Sequence, residues 1–166
     1  MIVFITDVER NFGPSLARAF TENGANVVTG ECDLTRLDVV INNVLLPTEP
    51  RAFAEISFDS WKRKIEVELT GSFFLFKSVL PHMIEQRWGR IINFTGRRTD
   101  TLSSSTERGM IGMTLGLARE YAKYNITANC IGVGDAQPEQ GITLLALTLA
   151  SENSAHITGQ CIFTQL

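Results

Sequence analysis

The 166-residue chain has 44% hydrophobic residues, a formal net charge of −3 and a sequence pI of about 5.4. This length suits one domain with a single core, here residues 1–166, and the acidic balance favours neither nucleic acid nor an anionic membrane as a partner. Apolar runs are shorter than a bilayer span and the first residues lack the pattern of a signal peptide, so we expect no membrane insertion and a cytoplasmic location.

Short apolar runs alternate with helical patterns along the chain. In chain order, the patterns predict a strand over residues 2–6, a helix over 14–25, strands over 26–29 and 38–42, a helix over 57–87, a strand over 90–95, a helix over 106–124, a strand over 126–132, a helix over 140–151 and a strand over 160–164. Strands that alternate with helices predict an α/β fold, in which helices cover both faces of a parallel sheet.

The cysteines and histidines give no pattern typical of a metal or redox site. Cys32, Cys130 and Cys161 form neither a CxxC pair nor a Cys/His cluster, and His82 and His156 are isolated in sequence. We therefore predict reduced, partly buried thiols and no metal site.

Three long segments carry a family resemblance. Residues 61–96, 109–134 and 145–163 resemble, in the right order, three helix–strand segments of short-chain dehydrogenases/reductases. VINNV (40–44) resembles the Asn-Asn-Ala-Gly motif of that family. The resemblance implies a three-layer Rossmann-like fold, and in typical members an NAD(P) cofactor.

The resemblance also implies a phosphate-binding turn of the form Thr-Gly-x-x-x-Gly-x-Gly after the first strand. Residues 6–13 read TDVERNFG, so Gly13 is retained while Asp7 and Asn11 replace two glycines. Small residues let backbone N–H groups approach a pyrophosphate, whereas a carboxylate about 4 Å from a phosphate costs about 4 kcal/mol at an effective dielectric of about 20. We therefore expect no bound cofactor.

Two connections are shorter than the resemblance implies. Residues 30–37 alone separate strands 26–29 and 38–42, although a parallel crossover normally needs a dozen or more residues. Either strand 26–29 leaves its usual place, or an extended link runs back across the sheet. The sheet is thus expected to be shortened at its adenosine-binding edge, and residues 132–142 replace the substrate lid.

The resemblance implies four catalytic positions, occupied in relatives by Asn, Ser, Tyr and Lys. Here they are occupied by Glu68, Gly96, Ser103 and Glu107. A Ser hydroxyl is a far weaker acid than a phenol, and a carboxylate opposes the ionisation that an ammonium favours. No Tyr or Lys lies between Arg90 and Arg119 to substitute. We predict no catalytic residues for hydride transfer.

Several roles remain open for the two glutamates. Glu68 and Glu107 in one cleft would be the acid and base of a repurposed lyase or isomerase. Alternatively, Glu107 belongs to a solvated helix start that residues 103–106 cap, without catalysis. A regulatory ligand sensor in the remnant cleft is a third possibility.

The helices that relatives use for dimerisation keep many apolar residues. The predicted interface residues are Phe73, Phe76 and Leu80 on the first long helix, Met110, Met113, Leu117 and Tyr121 on the second, and Thr158 and Gln160 in the tail. Gly109, Gly112 and Gly116 would allow close helix approach. Such an excess of apolar residues indicates a partner, with a larger core as the alternative.

These observations predict an inactive subunit of a dimer or tetramer. It would pair with itself or, preferably, with an active paralogue. The chain resembles the truncated, cofactor-less companion subunits of this family, as in the 2-(hydroxybenzyl)succinyl-CoA-type alcohol dehydrogenase of anaerobic toluene degradation. An acyl-CoA or hydroxyacyl substrate of the complex is a further expectation.

Overall fold

A computed structural model describes residues 1–47, 49–96, 100–134 and 139–164. Within these residues, one parallel sheet has the strand order β2-β1-β3-β4-β5-β6. The strands are β1 (Ile2–Ile5), β2 (Asn26–Val28), β3 (Val39–Asn42), β4 (Gly89–Gly96), β5 (Ile126–Val133) and β6 (Cys161–Phe163). The helices are α1 (Gly13–Glu22), α2 (Phe58–Ile65), α3 (Gly71–Gln86), α4 (Thr101–Tyr121) and α5 (Glu139–Ala150). The predicted α/β class is confirmed.

Helices cover both faces of this sheet. On one face, Leu16 and Phe20 of α1 and Ile142 of α5 are buried against the strands. On the other, α3 and α4 bury a second cluster that includes Phe76 and Ala118. Because alternate side chains of a strand point to opposite faces, the central strands read as continuous apolar runs.

The connection between β2 and β3 follows the second of the two predicted routes. β2 stays beside β1, with Val3 in register with Val27. The link then runs back across the sheet through a 3₁₀ turn, Leu34–Arg36. Leu37 is buried with the α3-side core, and Leu34 packs against it. A short extended segment therefore covers this face at the sheet edge.

One predicted helix boundary is wrong, and another predicted helix contains an irregular turn. The structure confirms helix over 58–86, where 57–87 was predicted, but a π-helical turn, Glu66–Thr70, separates α2 from α3, and Pro81 lies inside α3. The next helix begins at Thr101 rather than 106, because the Asp100 side chain caps it by accepting a hydrogen bond from the Ser103 N–H at 2.9 Å. Residues 103–106 therefore lie inside α4 and are not its caps.

Part of the short connection predicted over residues 132–142 lies outside the described residues, since residues 135–138 are among those not described. Among the helices that are described, none has the length and apolar character needed to cross a bilayer.

Candidate functional site

A cavity of about 260 Å³ opens at the carboxyl ends of the central strands. The strand order reverses between β1 and β3, and this is where ligands bind in open parallel sheets. The described lining residues come from the β1–α1 turn, the segment after β3, the α2 helix with its π turn, the ends of β4 and β5, and the start of α4: Asn11, Phe12, Leu45, Leu46, Pro47, Lys64, Glu68, Thr95, Gly96, Ser103, Thr106, Val133 and Gly134.

The β1–α1 turn keeps a glycine-like backbone without the glycines. Asp7 and Asn11 have φ angles of 48° and 52°, in the left-handed region that favours glycine and that Asp and Asn tolerate best among other residues. The Asn11 amide donates to the Asn43 carbonyl at 3.2 Å. Its side chain thus bridges the turn and the segment after β3, at the cavity wall.

The exposed carboxylate of Asp7 has a cation beside it. Arg10 Nε lies 3.9 Å from Asp7 Oδ1, and the Arg10 side chain is 70% exposed. Exposed pairs of this kind are worth about 0–1 kcal/mol, so Arg10 offsets part of the repulsion that Asp7 would exert on an anion. Beneath the pair, buried Asn43 donates to the backbone carbonyls of both residues, at 3.2 and 3.0 Å.

Gly13 is needed for close packing rather than for a positive φ. A Cβ atom built there would lie 2.3 Å from the Val8 carbonyl oxygen. We expect Gly13→Ala to lower the free energy of unfolding by about 1–3 kcal/mol, because backbone must move to admit the methyl group. Urea denaturation measures this change, with Gly141→Ala as the control, since a Cβ atom at Gly141 meets nothing within 4 Å. Equal stability of the two variants would contradict the packing role.

Glu68 belongs to a buried ion pair. Lys64 Nζ lies 2.7 Å from Glu68 Oε1, and the two side chains are only 4% and 10% exposed. Lys64 also donates to the Leu46 carbonyl at 3.0 Å, while Glu68 Oε1 accepts from the Leu46 N–H at 2.8 Å. The pair therefore ties the segment after β3 to the helical wall. Sequence reasoning missed Lys64, although its i, i+4 spacing from Glu68 was a usable signal.

The π turn connects this pair to a buried polar chain. The Ser72 hydroxyl donates to the Glu68 carbonyl at 2.6 Å and accepts from Asn42 Nδ2 at 2.8 Å. Asn42 Nδ2 also donates to Asn93 Oδ1 at 3.3 Å, and Asn93 Nδ2 donates to the Thr114 hydroxyl at 2.9 Å. Satisfied polar networks of this kind rigidify a core, so the floor of the cleft is held on both β3 and β4.

The structure separates Glu107 from Glu68. Ser103 and Gly96 line the cavity with Glu68, but Glu107 is not among its described lining residues. Glu107 is buried, with Arg108 Nη2 at 3.7 Å, so the interpretation as a solvated helix start is wrong. Its carboxylate instead lies near Cys130 and Cys161, where its negative charge opposes the ionisation of either thiol. The described geometry therefore does not favour an acid–base pair within one cleft.

The predicted interface residues divide between core and surface. Phe76, Leu80 and Met110 are buried within the chain, as the larger-core alternative expects. Phe73 and the neighbouring Phe74 are 50% and 60% exposed. The remaining predicted residues are partly buried, namely Met113, Leu117, Tyr121 and Thr158, or exposed, namely Gln160.

A groove of about 360 Å³ lies between α3 and α4, with Phe73, Met113 and Tyr121 among its walls. The glycines of α4 differ in their surroundings. A Cβ atom at Gly109 would meet the Leu69 side chain at 2.7 Å, whereas one at Gly112 or Gly116 meets nothing within 4 Å. Gly109 therefore serves packing within the chain, and Gly112 and Gly116 leave the helix surface open.

Across the described residues, no three His, Cys, Asp or Glu side chains come together in a way that could hold a metal ion.

Comparisons with known proteins agree with this architecture. A family model for short chain dehydrogenases matches residues 28–143. The chain is 30% identical over 179 residues to 3-oxoacyl-[acyl-carrier-protein] reductase FabG of Aquifex aeolicus, covering 89% of this chain and 69% of that protein. It is 30% identical over 158 residues to (2S)-[(R)-hydroxy(phenyl)methyl]succinyl-CoA dehydrogenase subunit BbsD of Thauera aromatica, covering 77% and 63% respectively.

Solved structures show the same fold. A 3-oxoacyl-[acyl-carrier protein] reductase with bound NAD from Brucella melitensis superposes with a TM-score of 0.85 at 24% identity, covering 98% of this chain and 88% of that one. The chain spans about two thirds of the length of the curated relatives it matches.

Proposed function

We propose that this chain, which belongs to the short-chain dehydrogenase/reductase family, is a non-catalytic subunit that pairs with and stabilises an active NAD(P)-dependent paralogue. One observation supports the proposal: Ser103 and Glu107, which the resemblance puts at the positions of the family's proton-donating Tyr and its Lys, are a cavity-lining hydroxyl and a buried carboxylate. A positioned general acid contributes roughly 10²–10⁴-fold to such a reaction. A Ser hydroxyl near a carboxylate has no means of supplying that proton at neutral pH.

The residues of the β1–α1 turn also fit a dinucleotide poorly. The Asn11 side chain bridges to Asn43 where the glycine pattern would leave room for a pyrophosphate. On the adenosine side, the β2–β3 link supplies only a short turn, in which Asp33 accepts a hydrogen bond from the Thr35 N–H at 2.9 Å. We therefore assign no catalytic step through NAD(P) to this chain.

The α3–α4 groove supports the assembly half of the proposal. Exposed Phe73 lines this groove together with Gly116 of α4, where a Cβ atom would meet nothing within 4 Å. Exposed apolar patches of this kind mark interaction sites. The partner that fits is a chain presenting an equivalent helix pair, either a second copy or, as we propose, the active paralogue.

Names of relatives suggest the substrate class of the complex. One relative reduces a 3-oxoacyl group on a carrier protein, and another is a subunit of a succinyl-CoA-type dehydrogenase. We infer that the partner acts on an acyl thioester and that this chain contributes stability and not chemistry. A cytoplasmic location goes with this role and stays a prediction.

Co-expression tests the pairing directly. A tagged form of this chain would be co-expressed with each paralogue from the same genome. The mass of the purified complex would then be measured by native mass spectrometry. We expect a mixed oligomer whose reductase activity disappears when the Tyr of the partner is replaced and not when Ser103 is. Recovery of this chain only as a monomer in every combination would exclude the subunit role.

Cofactor titration tests the cleft separately. We expect the isolated chain to bind NADH and NADPH with a Kd above about 1 mM, measured by nicotinamide fluorescence. Asp7→Gly/Asn11→Gly is the matched variant, because it restores the glycine pattern and removes the Asn11 bridge to Asn43. Micromolar binding by the unmodified chain would overturn our interpretation of the turn.

A further inference from the structure

Two of the three cysteines lie directly opposite one another at the edge of the sheet. Cys130 of β5 is in register with Cys161 of β6. Both point toward α4, because Cys130 follows Ala128, a member of the α3–α4 core, at the two-residue period of a strand. Cys130 is fully buried and Cys161 is partly exposed. One thiol is thus reachable from solvent, with the second just behind it.

The two thiols also interact chemically. The interaction between the neighbouring thiols lowers the pKa of Cys161 and raises that of Cys130, whose burial raises it further. Burial and the carboxylate of Glu107 act to raise the pKa of Cys161, whereas Arg108 acts to lower it, and the net effect is a lowered pKa. Cys161 is therefore the better nucleophile, because the thiolate is the reactive form.

We propose that Cys130 and Cys161 are a redox-active dithiol that closes to a disulfide between β5 and β6 when it meets a low-molecular-weight disulfide such as glutathione disulfide. Register neighbours on adjacent strands lie about 5 Å apart, within the Cα separation that disulfides span. This site includes no described lining residue of the cleft or of the α3–α4 groove on which the proposed function depends.

The chemistry proceeds by two exchange steps. The Cys161 thiolate attacks one sulfur of glutathione disulfide, breaking its S–S bond and releasing one glutathione thiolate, which takes up a proton. Cys130 then attacks the Cys161 sulfur and breaks the mixed disulfide, and the second glutathione leaves as a thiolate that takes up the proton given up by Cys130. Two protein thiols are oxidised and one glutathione disulfide is reduced to two glutathione molecules.

Closure would add a covalent tether to an edge strand. β6 has three residues at the sheet edge, and its flanks are held by backbone hydrogen bonds from Gly159 N–H to Ala128, from Cys130 N–H to Gln160 and from Thr164 N–H to Gly132. A disulfide would close the loop that contains α5, which stabilises a fold by restricting its unfolded chain. We therefore expect the oxidised chain to melt at a higher Tm, reversibly with dithiothreitol.

Intact-mass measurement tests the proposal on the full chain. After incubation with glutathione disulfide and acid quench, we expect the folded protein to lose about 2 Da, with a crosslinked peptide joining Cys130 to Cys161. Cys130→Ala should instead accumulate a glutathione adduct of about 305 Da on Cys161, and Cys161→Ser should block both products. Cys32→Ser is the matched control and should react like the unmodified chain, because Cys32 lies in the distant β2–β3 link.

The same reaction in urea shows whether the native register matters. We expect closure to slow at least about tenfold once the strands separate, since the two thiols then meet only by chain diffusion. A glutathione adduct that persists on Cys161 of the folded, unmodified chain would overturn the proposal. Three unreacted thiols, or preferential modification of Cys32, would do the same.

Discussion

Replacing Lys64 by Met is expected to lower the free energy of unfolding by about 3–5 kcal/mol, because the change leaves the Glu68 carboxylate buried without its cation. The pair is 2.7 Å apart and almost inaccessible to water. Glu68 would keep the Leu46 N–H, at 2.8 Å, but one neutral donor does not compensate a buried charge. Urea denaturation at one fixed protein concentration measures the loss, since any self-association would otherwise contribute to it.

Two further variants separate this effect from a general loss of helix stability. Lys64→Met/Glu68→Gln removes both charges and should recover most of the stability, because a neutral amide can still accept from Leu46. Lys62→Met changes an exposed lysine on the same helix and should shift stability by less than about 0.5 kcal/mol. If the double variant is as unstable as Lys64→Met, the buried charge is not the cause.

The ion pair gives Glu68 a structural role. Glu68 Oε1 already accepts from Lys64 and Leu46, which fixes the segment after β3 against α2 and the π turn. The backbone carbonyl of Glu68 accepts from the Ser72 hydroxyl. An acid or base role for Glu68 would therefore fall to its other carboxylate oxygen, since a carboxylate has two acceptor oxygens.

The sequence predicted the sheet well because each strand is a short apolar run with a clear turn before the next helix. Residues 38–42 and 126–132, for example, correspond closely to β3 and β5. The start of α4 was predicted five residues late, because Ser and Thr at 103–106 are as good caps in sequence as Asp100. Only the hydrogen bond that forms decides between them.

Features of the candidate site that depend on tertiary contacts could not be predicted in the same way. Nothing local indicates that Cys130 faces Cys161, because that pairing follows from the register of strands about 30 residues apart. The burial of Glu107 was missed for a similar reason, since helix propensity carries no information about which face packs on β5. The glycines of α4 were identified together, yet only Gly109 turned out to contact Leu69.

The open glycine face of α4 gives the sharpest test of assembly. We expect Gly116→Trp to weaken association with the partner subunit at least about 100-fold, equivalent to about 2.7 kcal/mol, because the indole would occupy the space needed for close helix approach. The fold itself should tolerate the change, since a Cβ atom at this position meets nothing within 4 Å and Gly is a poor helix former. Analytical ultracentrifugation of the mixed complex measures the change.

Gly141→Trp is the matched control, because it places the same side chain on an equally open helix position of α5, on the opposite side of the sheet. Its complex should keep the affinity of the unmodified one. Phe73→Asp should weaken assembly as Gly116→Trp does, since it puts a charge on the exposed rim of the same groove. If Gly116→Trp and Gly141→Trp assemble equally well, α4 is not the contact surface, and an interface at the segment just before β6, where Thr158 and Gln160 lie, becomes the one to mutate next.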